Sequence, residues 1–408
     1  MSILIKNVIL ENKKQDILIE GNEIKKIDDE INIEVDEIID AKEKKMILPG
    51  FINCHTHSAM TLLRGFADDL PLNEWLFNKI IPVEEKLTDE DIYWGTKLAL
   101  IEMIKSGTTF INEMYLFRGL NSTAKAVEEM GIRANIGICL DNSNFEKIKS
   151  SKIPKNTELI DYSLAPHAIY TTSPELLKWV KEVSDKNDML IHMHLSETQK
   201  EVQDSIENYG KRPVNYLNDL GLLSDKCVFA HSVWLNNEEL EILKDKECSL
   251  VYNPCSNMKL ASGVFRFDDI KNKGINICLG TDGAASNNSL NMIEEMKIGA
   301  LLQKINNIDP IAARADGIIK AATQNGAKAL HKKTGKIEEG YLADLILIDL
   351  ENTYFNPCFN FTSSLVYAAN SECVKDVICN GKIIMRDRKI DGEEKVYEKI
   401  REISTKFN

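Results

Sequence analysis

Between residues 51 and 283 the sequence carries eight strand-like segments, with helix-like stretches between most of them. The segments are short and mainly apolar: Phe51–His57, Thr108–Met114, Arg133–Leu140, Tyr162–Ala168, Met189–Glu197, Cys227–Val233, Ser249–Pro254 and Ile275–Gly283. Strands that alternate with helices favour a parallel sheet, because each strand needs a crossover to return the chain. Eight such units over about 290 residues predict an α/β fold, a (β/α)8 TIM barrel. A doubly wound open sheet is the structural alternative, but no glycine-rich phosphate loop favours it.

Two of the stretches between strands carry clear helix signals. Thr88–Lys105 has a threonine suited to cap its start, acidic residues in the first turn and Gly107 just beyond its end. Ser173–Lys186, with the sequence SPELLKWVKEVSDK, is a second helix-like stretch. These signals place helices after the first and fourth predicted strands.

The two ends of the chain have a β pattern instead. Residues 1–48 alternate apolar with polar residues, and Gly21–Asn22 is a hairpin turn signal. After Gly340 the segments GYLADLILIDLEN, CVKDVICNGKII and MRDRKID are predicted strands, and Asn380–Gly381 is another turn signal. The last of the chain, Glu393–Lys406, has a helical pattern.

Chain termini often lie close together in space. We therefore expect residues 1–48 and 340–408 to form one small β-sandwich domain, with the terminal helix in its C-terminal part. Residues 49–339 are then expected to form the (β/α)8 barrel.

Composition excludes several classes of protein. The 408 residues include 50 Lys and Arg against 63 Asp and Glu, which gives a net charge of −13. Binding to a nucleic-acid backbone needs clustered positive charge, so no nucleic-acid partner is expected. No segment has the roughly 18 uninterrupted apolar residues of a membrane span, and the first residues lack the pattern of a signal peptide. Nine cysteines with no CxxC pair indicate reduced thiols in a cytoplasmic protein.

Histidines are concentrated where the predicted strands end. His55 and His57 share a face of the first strand because their spacing is two. Six of the seven histidines lie in the predicted strands. Besides His55 and His57, these are His167, His192, His194 and His231. The active sites of (β/α)8 barrels lie at the carboxyl ends of the strands, so these side chains are expected to meet.

The eighth predicted strand ends in Asp282, which adds a carboxylate to the same edge. Imidazole and carboxylate ligands suit zinc, iron or manganese. Three imidazoles and one carboxylate leave room for a bound water, whose pKa such a site lowers to roughly 7.

Five segments together resemble the amidohydrolase superfamily, and within it the 5′-methylthioadenosine/S-adenosylhomocysteine deaminase family. They are PGFINCHTHSAMTLLRGFADDLPLNEWL, IHMHLSET, HSVWL, NPCSNMKLASG and LGTDGAASNNSLNMIEEM. The resemblance covers nearly the whole chain. It implies a metal-bearing barrel with a β-sandwich built from both chain ends, as the strand pattern also predicts.

The resemblance implies a metal set of His55, His57, His194 and Asp282. Asp282 would also take a proton from the attacking water. It implies that Glu197 protonates the purine N1 and that His231 holds the water and the charge that develops at C6. His192 is a competing ligand, but it lies one layer deeper, and we interpret it as a hydrogen-bonded interior histidine.

The fourth predicted strand, YSLAPHA, contains no lysine that could be carboxylated. This argues for a single divalent ion, Zn²⁺ in the first place and Fe²⁺ or Mn²⁺ as alternatives.

Substrate contacts are also implied by the resemblance. Glu84 matches a glutamate that binds ribose hydroxyls, although Glu85 beside it leaves the register open. His167 matches a histidine that contacts substrate. Trp75 is expected either to wall the pocket or to be a buried aromatic residue beneath a loop.

One segment departs from the family pattern. Family members carry an arginine after the third strand, but here CLDNSNFEKIKSSKIPKN has none. Lys147 or Lys149 could stand in its place, but lysine does not reproduce the bidentate fork of arginine. A neutral 5′-substituent would need no such partner, so methylthioadenosine or adenosine is favoured over S-adenosylhomocysteine.

The expected function is hydrolytic deamination of 5′-modified adenosines, with a small-molecule nucleoside as partner and a homo-oligomer possible. One alternative is another deaminase or a chlorohydrolase of the superfamily, acting on guanine, a pyrimidine or a triazine. A non-catalytic scaffold is the alternative from another class. It is disfavoured because all four metal ligands and both proton-transfer residues are present.

Overall fold

The computed structural model describes residues 2–115 and 119–406. Its strands fall into two sheets. In chain order they are β1 (Ser2–Leu10), β2 (Lys13–Glu20), β3 (Glu23–Asp28), β4 (Glu37–Asp40), β5 (Lys45–Pro49), β6 (Phe51–Thr56), β7 (Thr108–Met114), β8 (Arg133–Leu140), β9 (Ile160–Pro166), β10 (Ile191–Leu195), β11 (Cys227–His231), β12 (Ser249–Tyr252), β13 (Asn276–Leu279), β14 (Leu345–Asp349), β15 (Val374–Cys379) and β16 (Lys382–Met385).

Helices separate most of the strands in the middle of the chain. In chain order they are α1 (Ile81–Glu84), α2 (Asp89–Lys105), α3 (Leu120–Met130), α4 (Phe145–Lys149), α5 (Pro174–Asn187), α6 (Gln199–Tyr209), α7 (Pro213–Asp219), α8 (Asn237–Asp245), α9 (Pro254–Lys259), α10 (Phe267–Asn272), α11 (Met292–Asn307), α12 (Ala315–Ala321), α13 (Gln324–Ala329), α14 (Phe361–Tyr367) and α15 (Glu393–Ser404). A π-helix at Glu74–Ile80 precedes α1, and short 3₁₀ helices lie at Ser58–Leu63, Thr353–Phe355 and Ser371–Cys373.

Strands β6 to β13 form an eight-stranded parallel sheet in sequential order, which confirms the predicted (β/α)8 barrel. Its first and last strands meet through side chains and loops. The Asp282 N–H donates to the carbonyl of His55 at 2.9 Å, and the Thr281 N–H donates to Asn53 Oδ1 at 3.0 Å. The Asn53 amide in turn donates to Thr281 Oγ1 at 2.7 Å. These bonds bring the carboxyl ends of β6 and β13 together.

Helix α2 begins as its sequence predicts. The Thr88 hydroxyl accepts from the Asp91 N–H at 3.1 Å, and the Asp91 carboxylate accepts from the Thr88 N–H at 3.0 Å. This capping box pairs two backbone donors that the helix itself leaves unpaired. Ser173 caps α5 with its side chain alone, which accepts from the Leu176 N–H at 3.2 Å. No helix in the described part of the chain combines the length and the apolar character that a membrane crossing requires.

The second sheet is mixed and joins both ends of the chain, as expected for the β-rich unit. Its order is β16–β15–β14–β5–β1–β2–β3, and β4 pairs in parallel with β1, which the sequence pattern did not predict. The predicted strand MRDRKID is wrong beyond Met385. Asp387 and Arg388 adopt positive φ angles of 45° and 65°, so the chain turns sharply there and leaves only a single bridge from Arg386 to Lys389.

A buried ion pair connects the barrel to the mixed sheet. Arg133, at the start of β8, donates to Asp344 at 2.9 and 3.2 Å and to Asn380 Oδ1 at 3.0 Å. Both charged side chains are almost fully buried. Arg133 therefore lies at the amino end of the barrel strands, opposite the edge where the histidines meet.

Replacing Asp344 with Ala is expected to destabilise the protein by about 3–5 kcal/mol, because it leaves the Arg133 charge buried and unpaired. Urea unfolding followed by circular dichroism measures the change. The control is Asp185→Ala, which breaks the exposed i,i+4 pair with Lys181. That change should cost less than about 1 kcal/mol. Equal effects of the two substitutions would contradict a structural role for the Arg133–Asp344 pair.

Candidate active site

Four of the predicted site residues meet at the carboxyl ends of the barrel strands. His55 lies in β6, His57 directly follows that strand, His194 lies in β10 and Asp282 follows β13. All four side chains are buried. His55, His57 and His194 each place a ring nitrogen within 4.8 Å of the others, and His55 and Asp282 form a second such group with His231.

The spacing of these atoms fits a single metal ion. His194 Nε2 lies 3.4 Å from His57 Nε2, and Asp282 Oδ1 lies 3.1 Å from His57 Nε2 and 3.3 Å from His55 Nε2. Ligands bound tetrahedrally at 2.0–2.1 Å stand about 3.3 Å from one another. The four side chains therefore already have the separations that one such ion would impose.

The second ring nitrogen of each histidine is held by another group. His57 Nδ1 donates to the carbonyl of Met114, and His194 Nδ1 donates to the carbonyl of His167 at 2.8 Å. A carbonyl oxygen can only accept, so both Nδ1 atoms carry hydrogen and both Nε2 atoms are free to bind a metal. His55 Nδ1 lies 2.9 Å from His192 Nε2, which agrees with the expectation that His192 is an interior hydrogen-bonded histidine.

The ionised Asp282 and the neutral His55 and His194 suit a cation, whereas His57 favours a proton. Burial disfavours the charge on Asp282, but hydrogen bonds with His55 and His57 hold the pKa of its carboxyl well below the usual range. Burial lowers the pKa of His55 to about 3 and lowers the pKa of His194 well below its ordinary value. Burial opposes a charge on His57 as well, yet Asp282 raises the pKa of His57 to about 9. A metal that bound His57 through Nε2 would therefore have to displace a proton from this imidazole.

Two serines fix the second oxygen of Asp282. Asp282 Oδ2 accepts from Ser256 Oγ at 2.6 Å and from Ser286 Oγ at 2.9 Å, while Oδ1 accepts from the Gly283 N–H at 2.8 Å. The carboxylate is therefore held with Oδ1 facing His55 and His57.

His231 and Glu197 lie beside this cluster. His231 Nε2 is 3.8 Å from Glu197 Oε2 and 4.0 Å from Asp282 Oδ2. His231 Nδ1 is 2.9 Å from Asn257 Oδ1, which orients the ring. Glu197 Oε1 accepts from Ser262 Oγ at 3.0 Å, and burial raises the pKa of the Glu197 carboxyl.

Glu201 fixes the backbone that carries Glu197. Its two carboxylate oxygens accept from the N–H groups of Ser196 and Glu197, both at 2.8 Å. Sequence reasoning missed this residue, although Thr198-x-x-Glu201 is a capping-box pattern that could have drawn attention to it. Instead of the usual partner at the helix start, Glu201 reaches the two preceding residues. These two bonds hold the chain after β10, where Ser196 has a positive φ of 48°, and Glu197 lines the same cavity as His194.

A small cavity lies above the cluster. Its volume is about 40 Å³, and its lining includes His167, Trp75, Tyr170, Leu72 and Leu76 in addition to the clustered side chains. Of the two predicted ribose candidates, Glu84 is buried in α1 and Glu85 is exposed, and neither lines this cavity.

A wider groove of about 510 Å³ adjoins the cavity and shares Leu72, Tyr170 and Glu197 with it. Among the described residues no arginine lines either space, and Lys200, the one lysine of the groove, is paired with Asp204 at 2.7 Å. Lys149, one of the two lysines considered as substitutes, pairs with Glu175 at 3.2 Å.

Comparisons with known proteins agree with this architecture. Residues 46–384 match the model of the Amidohydrolase family. A 5-methylthioadenosine/S-adenosylhomocysteine deaminase of Thermococcus sibiricus is 47% identical over 402 residues, which cover 94% of each chain. A 5′-deoxyadenosine deaminase of Methanocaldococcus jannaschii is 48% identical over 417 residues, with 98% of each chain covered.

Among solved structures, an adenosine deaminase from Xanthomonas campestris with bound zinc superposes with a TM-score of 0.90. It is 31% identical in sequence, and the match covers 98% of this chain and 97% of that one. On this evidence the chain belongs to the amidohydrolase family, and within it to the 5-methylthioadenosine/S-adenosylhomocysteine deaminases.

Proposed function

We propose that this protein is a metal-dependent hydrolytic deaminase that converts 5′-modified adenosines to the matching inosines and releases ammonia. The observation that carries the proposal is the convergence of His55, His57, His194 and Asp282 at the barrel mouth, with Glu197 and His231 beside them. The names of the relatives, which are deaminases of adenosine-type nucleosides, support the substrate class. The barrel of residues 49–339 is proposed as the catalytic unit.

His55, His57, His194 and Asp282 are proposed to hold one divalent ion. Zinc is favoured because a solved structural neighbour contains it, and Fe²⁺ and Mn²⁺ suit the same nitrogen and oxygen donors. When bound, such an ion lowers the pKa of a water and so supplies hydroxide at neutral pH.

The side chains around the ion then move the protons. Asp282 accepts the proton of the water that adds to C6, and Glu197 donates a proton to the purine N1, which ends the aromaticity of the ring. His231, held by Asn257, stabilises the charge that develops on the oxygen at C6. Asp282 then passes the proton of the water to the amino group, so that the C6–N bond breaks and ammonia leaves, and the C6 hydroxyl returns a proton to Glu197 as it becomes the carbonyl of the inosine product. These proton transfers need one general acid and one general base. Glu197 suits the role of the acid because burial favours the protonated form of its carboxyl.

Three further residues are proposed to contact substrate. His167 and Trp75 line the cavity, where they can meet the purine. Glu84 is proposed to bind the ribose hydroxyls, since a carboxylate accepts two hydroxyl groups well. Its burial, in contrast to the exposure of Glu85, favours Glu84 as the inward-facing member of the pair.

Substrate entry requires the cavity to widen. About 40 Å³ holds one or two water molecules, whereas pockets for small organic ligands measure about 300–1,000 Å³. Leu72, Trp75 and Leu76 cover the cavity from a single segment that contains the π-helix. We infer that this segment moves outwards when a nucleoside enters from the adjoining groove.

An assay of ammonia release tests the function. Zinc-loaded protein is given methylthioadenosine, S-adenosylhomocysteine, 5′-deoxyadenosine, adenosine, guanine and cytosine. We expect turnover of the nucleosides with small or neutral 5′-groups and little turnover of S-adenosylhomocysteine, because no arginine among the described residues lines the site. Turnover of free bases alone would contradict the proposal. Efficient turnover of S-adenosylhomocysteine would contradict the argument from the missing arginine.

The hydrogen bond from Ser262 gives a prediction for pH dependence. Burial raises the pKa of the Glu197 carboxyl, and the hydrogen bond from Ser262 opposes this effect because it stabilises the ionised form. Ser262→Ala is expected to raise this pKa further and to move the alkaline limb of the kcat/KM profile to higher pH. Ser289→Ala, at an exposed hydroxyl that pairs with Glu294, is the control. A shift to lower pH would contradict the role of Glu197 as the acid.

Two further properties complete the proposal. All nine cysteines are free thiols, which supports a cytoplasmic setting.

Three apolar side chains are exposed along and just beyond α11: Leu301, Ile305 and Ile308. Their exposure supports association of the chain with itself, and light scattering would measure the oligomeric state directly.

A further inference from the structure

His192 occupies a position that the mechanism does not use. It lies in β10 two residues before His194, is fully buried and has its ring edge-on to that of His55, with the ring centroids 5.0 Å apart. Its Nε2 is 2.9 Å from His55 Nδ1. Its Nδ1 has no hydrogen-bond partner among the described residues.

The proton positions follow from the proposed role of His55. A neutral imidazole that binds a metal through Nε2 carries its hydrogen on Nδ1. His55 Nδ1–H must then donate to His192, so His192 Nε2 is the acceptor and the hydrogen of His192 lies on its own Nδ1. The Nδ1–H of His192 is then buried without a hydrogen-bond partner, which is unfavourable. His192 adopts this tautomer because its Nε2 must offer a lone pair to the Nδ1–H of His55.

His55 differs in this respect from the other two histidines of the cluster. The acceptors for His57 and His194 are backbone carbonyls, which a substitution cannot remove. The acceptor for His55 is a side chain. Of the three imidazoles, His55 is the one whose tautomer and ring orientation depend on the identity of another residue.

We propose that His192 is a positioning residue for the metal site: it fixes the tautomer and the ring plane of His55 and so increases the affinity for the metal. This inference rests on the proposed role of His55 as a ligand. Removing the hydrogen-bond partner of a metal-bound histidine typically weakens metal binding by about 10–100-fold.

The test compares two substitutions of similar size at His192. In His192→Gln the amide oxygen reaches about as far as Nε2 and can accept from His55, whereas the leucine of His192→Leu cannot accept. The dissociation constant for Zn²⁺ is measured on the full chain by competition with a chelating dye at one pH. We expect His192→Leu to raise it by about 10–100-fold and His192→Gln to stay close to the wild type. The unfolding midpoint of the metal-free proteins reports any change in folding.

His55→Leu is the reference, because it removes the ligand itself. If His55→Leu weakens zinc binding and His192→Leu does not, His55 is a ligand and the inference about His192 is wrong. If the two His192 variants weaken binding equally, packing rather than the lone pair matters, and the inference is again wrong. If His55→Leu binds zinc as well as the wild type, the proposed ligand set fails, and the inference fails with it.

A measurement on the unaltered protein covers the case in which His192→Leu does not fold. In zinc-loaded protein labelled with ¹⁵N-histidine, the ring nitrogen shifts identify the tautomer of each imidazole. We expect His55 and His192 both to carry hydrogen on Nδ1. A hydrogen on His192 Nε2 would overturn the proposal, because that nitrogen could not then accept from His55.

Discussion

Asp282→Asn is expected to abolish deamination, with a loss of about 10⁴-fold or more in kcat, because one change removes both the proposed proton acceptor and the negative charge among the proposed metal ligands. The amide is nearly the same size as the carboxylate, so the surrounding loop should keep its shape. Ammonia release from methylthioadenosine measures the rate, and elemental analysis measures the zinc that remains bound.

Ser286→Ala is the matched control for that experiment. It removes one hydroxyl that donates to Asp282 Oδ2 but leaves the carboxylate and the second donor, Ser256, in place. A loss much smaller than that of Asp282→Asn is expected. Retention of the wild-type rate by Asp282→Asn would exclude this residue as the base.

Glu197→Gln is expected to keep zinc and to lose about 10²–10⁴-fold in kcat, as is typical when a positioned general acid is removed. The amide cannot supply the proton that the purine N1 needs. The substituted side chain should keep the position of the glutamate, because Glu201 still accepts from the backbone N–H of residue 197 and Ser262 can still donate to the amide oxygen.

The control on the same segment is Glu207→Gln, which alters an exposed glutamate of α6 and should leave the rate unchanged. Zinc content and turnover are measured on both variants. Loss of zinc from Glu197→Gln would make Glu197 a ligand, and an unchanged rate would remove it from the mechanism.

The sequence was sufficient for the parts of the site that follow strand geometry. The spacing of two between His55 and His57, and the position of Asp282 at the end of a predicted strand, are enough to place these side chains at one edge of a barrel. The helix starts at Thr88 and Ser173 were equally predictable, since a cap depends on residues within a single turn.

The groups that orient the site could not be predicted. Ser256, Ser262 and Ser286 lie in loops or short helices, and a lone serine carries no signal of the carboxylate it will contact. The pairing of β4 with β1 was also missed, because it joins segments whose register depends on the rest of the sheet. Positive φ angles at Asp387 and Arg388 ended a predicted strand, although neither residue is a glycine.

The closure of the barrel has a consequence for how the protein matures. Asn53 and Thr281, whose hydrogen bonds join the first and last strands, are 228 residues apart in sequence. Contacts of such long range form late, since the chain between them must first be ordered. On a ribosome, His55 and His57 emerge long before Asp282, so a growing chain cannot assemble the proposed four-ligand site. Metal uptake by the complete set of proposed ligands would therefore mark a chain whose barrel synthesis and closure are finished.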